Sequence, residues 1–183
     1  MSKRQKTDRI HALFLLILSE FNLSTQMSNE TQMTSKAQRY ATLLSQALSL
    51  AEGESDAIAV MANLSALVHG EFGFWWTGFY IVRGGELVLG PFQGPVACMH
   101  IAKGRGVCGT SWAEDRTVVV PDVEEFPGHI ACSSESRSEI VVPVRQGGRV
   151  VAVLDIDSEK LATFDEVDAQ WLEKIVTAVP ALA

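Results

Sequence analysis

The sequence is poor in cysteine, with three in 183 residues, at positions 98, 108 and 132. An odd number at such spacings is not the framework of a secreted disulfide scaffold. No Cys-x-x-Cys occurs, so a structural zinc site lacks its usual signature. His100 and His129 are read as loop histidines rather than as ligands that complete one. Functional thiols in a reducing compartment, the cytoplasm, fit better. Long apolar runs are also missing. Residues 12–18 are apolar, but Ser19 and Glu20 follow and no small-x-small cleavage site comes after. That run is far short of the ~20 residues a transmembrane helix needs. Excess positive charge is absent as well. The net charge is −7, and four basic against two acidic residues within 1–27 leave −9 for the remainder. An acidic body argues against a nucleic-acid footprint and against anionic membrane surfaces.

What is present reads as one α+β domain. Residues 1–34 form an N-terminal extension, loosely ordered, with a polar linker at 26–32; residues 35–183 form the domain. Tyr40, Leu43, Leu44, Ala47 and Leu48 recur at helical spacing and predict a helix over 35–51, ended by Gly53. Ser55 is the expected cap of a second helix over 56–69, closed by Gly70. An aromatic stretch follows, with a strand at 77–82, a turn at 83–85 and a partner strand at 86–89. The adjacent Trp75 and Trp76 are both assigned to the core. A third strand at 97–102 holds Cys98. Gly104-Arg105-Gly106-Val107-Cys108-Gly109 spells Gly-x-Gly-x-x-Gly ahead of a helix at 107–114. A dinucleotide fold wants that motif in the first unit of a parallel sheet, whereas here two helices and an antiparallel hairpin precede it. The glycines are read as a tight strand-to-helix turn. A strand at 117–120 and a loop at 121–129 come next, and Asp165 to Asp168 open a last helix. Strands joined by tight turns make an antiparallel sheet, with helices on one face and a ligand pocket on the other.

The chemistry gathers in the last third. Cys132 lies in a Gly- and Ser-rich polar loop, and Glu139 precedes the β-branched strand 140–144. A turn at 145–149 leads to the strand 150–157, which ends in Asp155 and Asp157. Antiparallel pairing brings Glu139 to those two, and residues two apart share a face. Each acid alone reads as a solvated strand end. Together with Cys132 they make a site, and three like charges in a small space call for a bound cation or a retained proton.

The layout, with Gly78-Phe79-Tyr80, Lys103-Gly104-Arg105-Gly106-Val107-Cys108-Gly109, Gly128-His129-Ile130-Ala131-Cys132, Ser138-Glu139-Ile140-Val141 and Val153-Leu154-Asp155-Ile156-Asp157, resembles a GAF domain. Within that superfamily it resembles the free methionine-(R)-sulfoxide reductases, over residues 40–171. Trp75 departs from the family, which commonly has Asn there. The resemblance implies reduction of free methionine (R)-sulfoxide to methionine. Cys132 would be the nucleophile, Cys98 the resolving thiol and Cys108 a secondary or alternative one. It implies Glu139, Asp155 and Asp157 as substrate-binding carboxylates; the acid is expected to be the member of that cluster with a raised pKa, Glu139. Trp76 would receive the methyl group, with Tyr80 beside it. It implies no cofactor and no metal, thioredoxin as reductant, and a homodimer. Two rival readings are a GAF sensor that binds a small ligand without turnover and a thiol redox switch. The sequence holds no kinase, cyclase or DNA-binding module to receive a signal, which weighs against the sensor.

Overall fold

The computed structural model describes residues 35–128 and 134–182. The expected N-terminal extension, 1–34, and the loop carrying His129 and Cys132 lie outside the described residues. By its contacts the chain divides into Met1–Gln38 and Arg39–Ala183. Of the first unit only residues 35–38 are described, as helix. All that follows concerns the second.

Helix α1 is the helical stretch to residue 51. Helix α2 is Ala57–Phe72, then come β1 (Trp76–Arg83), β2 (Glu86–Gln93) and β3 (His100–Ala102). Helix α3 is Gly106–Glu114, followed by β4 (Val118–Val120), β5 (Ser138–Gln146), β6 (Arg149–Ser158) and α4 (Glu166–Ile175). The six strands form one sheet in the order β3-β2-β1-β6-β5-β4, and every neighbouring pair is antiparallel. Gly147 and Gly148, at φ of 57° and 74°, make the two-residue turn between β5 and β6. Both central residues of such a turn need positive φ, which glycine adopts without strain. No helix among the described residues is long and apolar enough to cross a membrane.

Alternation along the central strands separates two cores. Phe79, Ile81, Ile140, Val142, Leu154 and Ile156 face α1, α2 and α4, where they meet Tyr40, Leu43, Met61, Leu64 and Leu172. Trp76, Tyr80, Val141 and Val153 face the other way, against Val107, Cys108 and Trp112 of α3. The short α3 therefore lies on the pocket side, apart from the three longer helices. Its glycines do form the expected strand-to-helix turn. A Cβ on Gly109 would stand 2.5 Å from the Ala102 carbonyl oxygen, so only glycine lets the helix close onto β3.

Several boundaries differ from the sequence reading. Asp56, not Ser55, caps α2, its carboxylate accepting from the Ile58 and Ala59 amides. The helix runs past Gly70 to Phe72 and stops at Gly73, which takes φ of 67°. Strand β2 continues past Leu89 because Gly90 and Pro91 fall where its register with β1 is irregular, and Pro91 there has no ladder bond to donate. The third strand is confined to His100–Ala102, which leaves Cys98 in the loop before it.

One polar contact ties α1 to α4 inside the larger core. Tyr40 donates its hydroxyl to Asp168 Oδ1 at 2.7 Å, and Asp168 Oδ2 accepts from the Asp165 amide at 2.7 Å. Asp165 in turn accepts from the Val167 and Asp168 amides, which completes a capping box. Asp168→Ala removes half of that cap and strands a buried hydroxyl. It is expected to cost about 3 kcal/mol in urea unfolding, while Tyr40→Phe, which keeps the cap, costs about 1 kcal/mol.

Candidate active site

Pairing of the three central strands fixes the floor of the site. Asp157 stands opposite Glu139 on β5 and Trp76 on β1; Asp155 stands opposite Val141 and Gly78. The expected convergence of Glu139, Asp155 and Asp157 is therefore present, on the face away from the long helices. Cys108 joins them from the first turn of α3. One ligand atom each of Cys108, Glu139 and Asp155 lies within 4.8 Å of the others. All three line one cavity together with Trp76, Tyr80 and Asp157. With its mouth the cavity holds about 560 Å³ of empty space, a size for a small molecule.

The electrostatics follow from burial. Desolvation pushes the Glu139 carboxyl well above the usual carboxylate range, and Asp155 and Asp157 push it further. Asp155 is raised by burial and then by Asp157, against hydrogen bonds from Cys108 and Glu139 that favour its charge. Asp155 is thus the acceptor that Cys108 and Glu139 share. Burial also raises the Cys108 thiol, followed by the charges of Asp155 and Glu139. Asp157 is pushed up to about 6 by burial, tempered by the Ser136 hydroxyl that donates to its carboxylate. Burial and mutual repulsion thus set the pocket against holding three negative charges at once.

The aromatic wall is built by close approach. The Trp76 ring stacks on Phe92 at a centroid distance of 5.3 Å and on Tyr80 at 5.9 Å. Gly78 makes room for it: a Cβ there would clash with Phe92 and stand 2.6 Å from Trp76 Cη2. Two hydrogen bonds then hold the loop after β2 across the mouth. Trp76 donates its indole N–H to the Pro95 carbonyl at 3.1 Å, and Tyr80 its hydroxyl to the Cys98 carbonyl at 2.9 Å. Tyr80 thereby fixes the backbone of a cysteine two strands away. The assignment of both tryptophans to the core holds for Trp76 and needs correction for Trp75. Trp76 is buried but lines the cavity, and Trp75 is only half-buried at its edge.

The three cysteines have different settings. Cys98 is half-buried and disulfide-bonded. Cys108 is a free thiol, buried. Cys132, the expected nucleophile, lies outside the described residues. His100 sits apart from the cavity-lining residues, paired with Glu86 across the exposed β2–β3 edge. Two residues that line the cavity were not singled out from sequence. Ser136 hydrogen-bonds Asp157, and exposed Arg105 stands at the rim. A hydroxyl near the start of a strand carries no signal of its own, and Arg105 sat inside a motif read for its glycines.

Residues 56–179 match the GAF domain family. GAF domain-containing protein A of Dictyostelium discoideum is 53% identical over 80% of this chain and 94% of its own length. The free methionine-R-sulfoxide reductase of Escherichia coli is 43% identical over 77% of this chain and 86% of its own. Among solved structures, the free methionine-R-sulfoxide reductase of Neisseria meningitidis, in complex with its substrate, superposes with a TM-score of 0.77. It is 52% identical, over 79% of this chain and 87% of that one. On this sequence and fold likeness the chain belongs to the GAF-domain family of free methionine-R-sulfoxide reductases.

Proposed function

We infer that this chain reduces free methionine (R)-sulfoxide to methionine at the cavity floored by Glu139, Asp155 and Asp157. The observation that carries the reading is that buried acidic group beside the Trp76 wall. A free amino acid brings an α-ammonium, the cation that such a cluster needs. A peptide-bound residue brings none, so the same charge that binds also selects. Asp157, ionised above about pH 6, receives the ammonium, with Asp155 assisting. Arg105 at the rim faces the α-carboxylate. The methyl group rests against Trp76, with Tyr80 behind it. Glu139, kept neutral by burial, donates its proton to the sulfoxide oxygen.

Cys132 is the proposed nucleophile. Its sulfur attacks the sulfoxide sulfur as Glu139 protonates the oxygen, forming an S–S bond; passage of the oxygen to the Cys132 sulfur then breaks both that S–S bond and the substrate S–O bond. Methionine leaves, and the oxygen remains on Cys132 as a sulfenic acid. Cys98 condenses with that acid, releasing water and forming a disulfide, which a thioredoxin-type dithiol reduces. Support for Cys98 in this part comes from its disulfide-bonded state and from the Tyr80 tether. Cys108, a protonated thiol donating to Asp155, is a secondary partner. The domain spans residues 35–183, and the reading places it in the cytoplasm as a homodimer.

The test is incubation of reduced protein with dithiothreitol and one of three substrates. Free (R)-sulfoxide is expected to be consumed, while the (S) form and N-acetylmethionine sulfoxide are largely spared. Comparable rates on the N-acetylated compound would refute selection by the ammonium.

A further inference from the structure

The innermost corner of the cavity carries more donor chemistry than sulfoxide reduction uses. Three separate elements aim at one point there: Cys108 from α3, Glu139 from β5 and Asp155 from β6, with one donor atom each inside 4.8 Å. Cys108 is 4% exposed, Glu139 6% and Asp155 7%. Although the Asp155 carboxylate accepts from Cys108 and Glu139, its Oδ1 is buried with no hydrogen-bond partner among the described residues. A buried polar atom left unpaired costs ~1–3 kcal/mol, and this one belongs to a residue that lines the cavity. The corner thus lacks an electropositive group and has access to solvent through the pocket.

We propose that Cys108, Glu139 and Asp155 form a binding site for a divalent cation of the Zn²⁺ class, with the ion's fourth position open to the cavity. Bonds of ~2.3 Å to sulfur and ~2.1 Å to oxygen put tetrahedral donors about 3.5 Å apart. The present separations, within 4.8 Å, require the three side chains to draw together on binding. The thiolate disfavours Mg²⁺ and Ca²⁺, and two carboxylates beside it suit a borderline ion better than Cu⁺. The entering ion displaces the protons that Cys108 and Glu139 direct at Asp155. Binding rests on this geometry alone. Its consequence rests on the reading of the pocket given above: ion and substrate ammonium seek the same pole, so each excludes the other.

The experiment uses reduced Cys98→Ser/Cys132→Ser protein, in which Cys108 is the one remaining thiol. It is titrated with Co²⁺ alone and then with Zn²⁺. One equivalent of Co²⁺ is expected to give a thiolate-to-cobalt charge-transfer band in the near ultraviolet, displaced by Zn²⁺. The band should vanish on adding Cys108→Ser. Asp155→Asn, which keeps the thiol and the side-chain shape, should weaken Zn²⁺ binding at least tenfold. Absence of the band, or its survival without Cys108, overturns the site. In the protein with all three thiols, Zn²⁺ should inhibit competitively against free methionine sulfoxide, and a chelator should restore activity. Zn²⁺ held through Cys108 without inhibition would uphold the metal site and overturn the placing of substrate on these carboxylates.

Discussion

Cys132→Ser is expected to end methionine formation even in a single turnover, whereas Cys98→Ser should release about one equivalent of methionine and then stall with thioredoxin. The difference follows from the order of bonds. Oxygen transfer to Cys132 completes before any second thiol is needed, so removing the resolving partner leaves the first cycle intact. A serine hydroxyl at 132 is a far weaker nucleophile than a thiol and cannot carry the oxygen as a sulfenic acid. Cys108→Ser should leave the first equivalent in place as well, because that thiol is buried and held protonated by its acidic neighbours. Rapid-quench measurement of methionine per active site, without reductant, separates the three variants. Loss of the first equivalent in Cys98→Ser would reverse the division of roles between the two thiols.

Glu139→Gln should lower kcat by about 10²- to 10⁴-fold, the usual contribution of a positioned general acid, with little change in near-ultraviolet circular dichroism. Burial, then Asp155 and Asp157, push Glu139 well above the usual carboxylate range, so the donor is present at low pH and lost as pH rises through its raised value. Asp157 runs the other way in its task. It must be ionised to hold the ammonium, and that fails as pH falls below about 6. The wild-type kcat/KM profile is therefore expected to be a bell whose acid limb lies near pH 6. In Glu139→Gln the alkaline limb disappears with the acid that produced it. A variant within threefold of wild type, with both limbs retained, would remove Glu139 from its assigned role.

The same groups oppose folding. Asp157 titrates at about 6 in the fold against an ordinary 3.8, so across that interval the native state holds protons that the unfolded chain has released. Stability therefore falls as pH rises through the window. That carboxylate is held in place by the strand pairing of β5 and β6, against its own solvation.

The β5–β6 hairpin was legible because three signals coincide there. β-Branched runs, a Gly-Gly turn and acids spaced two apart each specify the same strands and the same end of the sheet. Boundaries drawn from punctuation fared worse. On sequence the partner strand ends at Leu89, yet the chain continues through Gly90 and Pro91, where irregular register asks no ladder bond of a proline. Gly70 looked like a helix stop, but the turn at Gly73 supplies the left-handed residue instead. Cys108 was least legible as a member of the acidic site. It lies far from the carboxylates in sequence, and only the tertiary approach of α3, made possible at Gly109, brings its sulfur to them.

Strand β6 serves two masters. Leu154 and Ile156 close the helix-side core, while Asp155 and Asp157, between and after them, furnish the pocket. One inserted residue between the turn at Gly147-Gly148 and Asp155 would exchange the two sets. It would drive both carboxylates into hydrocarbon and turn the leucine and isoleucine toward the cavity. Insertion scanning or loop grafting is thus tolerated in this hairpin only where pairing lost on one side is restored on the other. The chemistry of the pocket and the packing of the fold share a single reading frame.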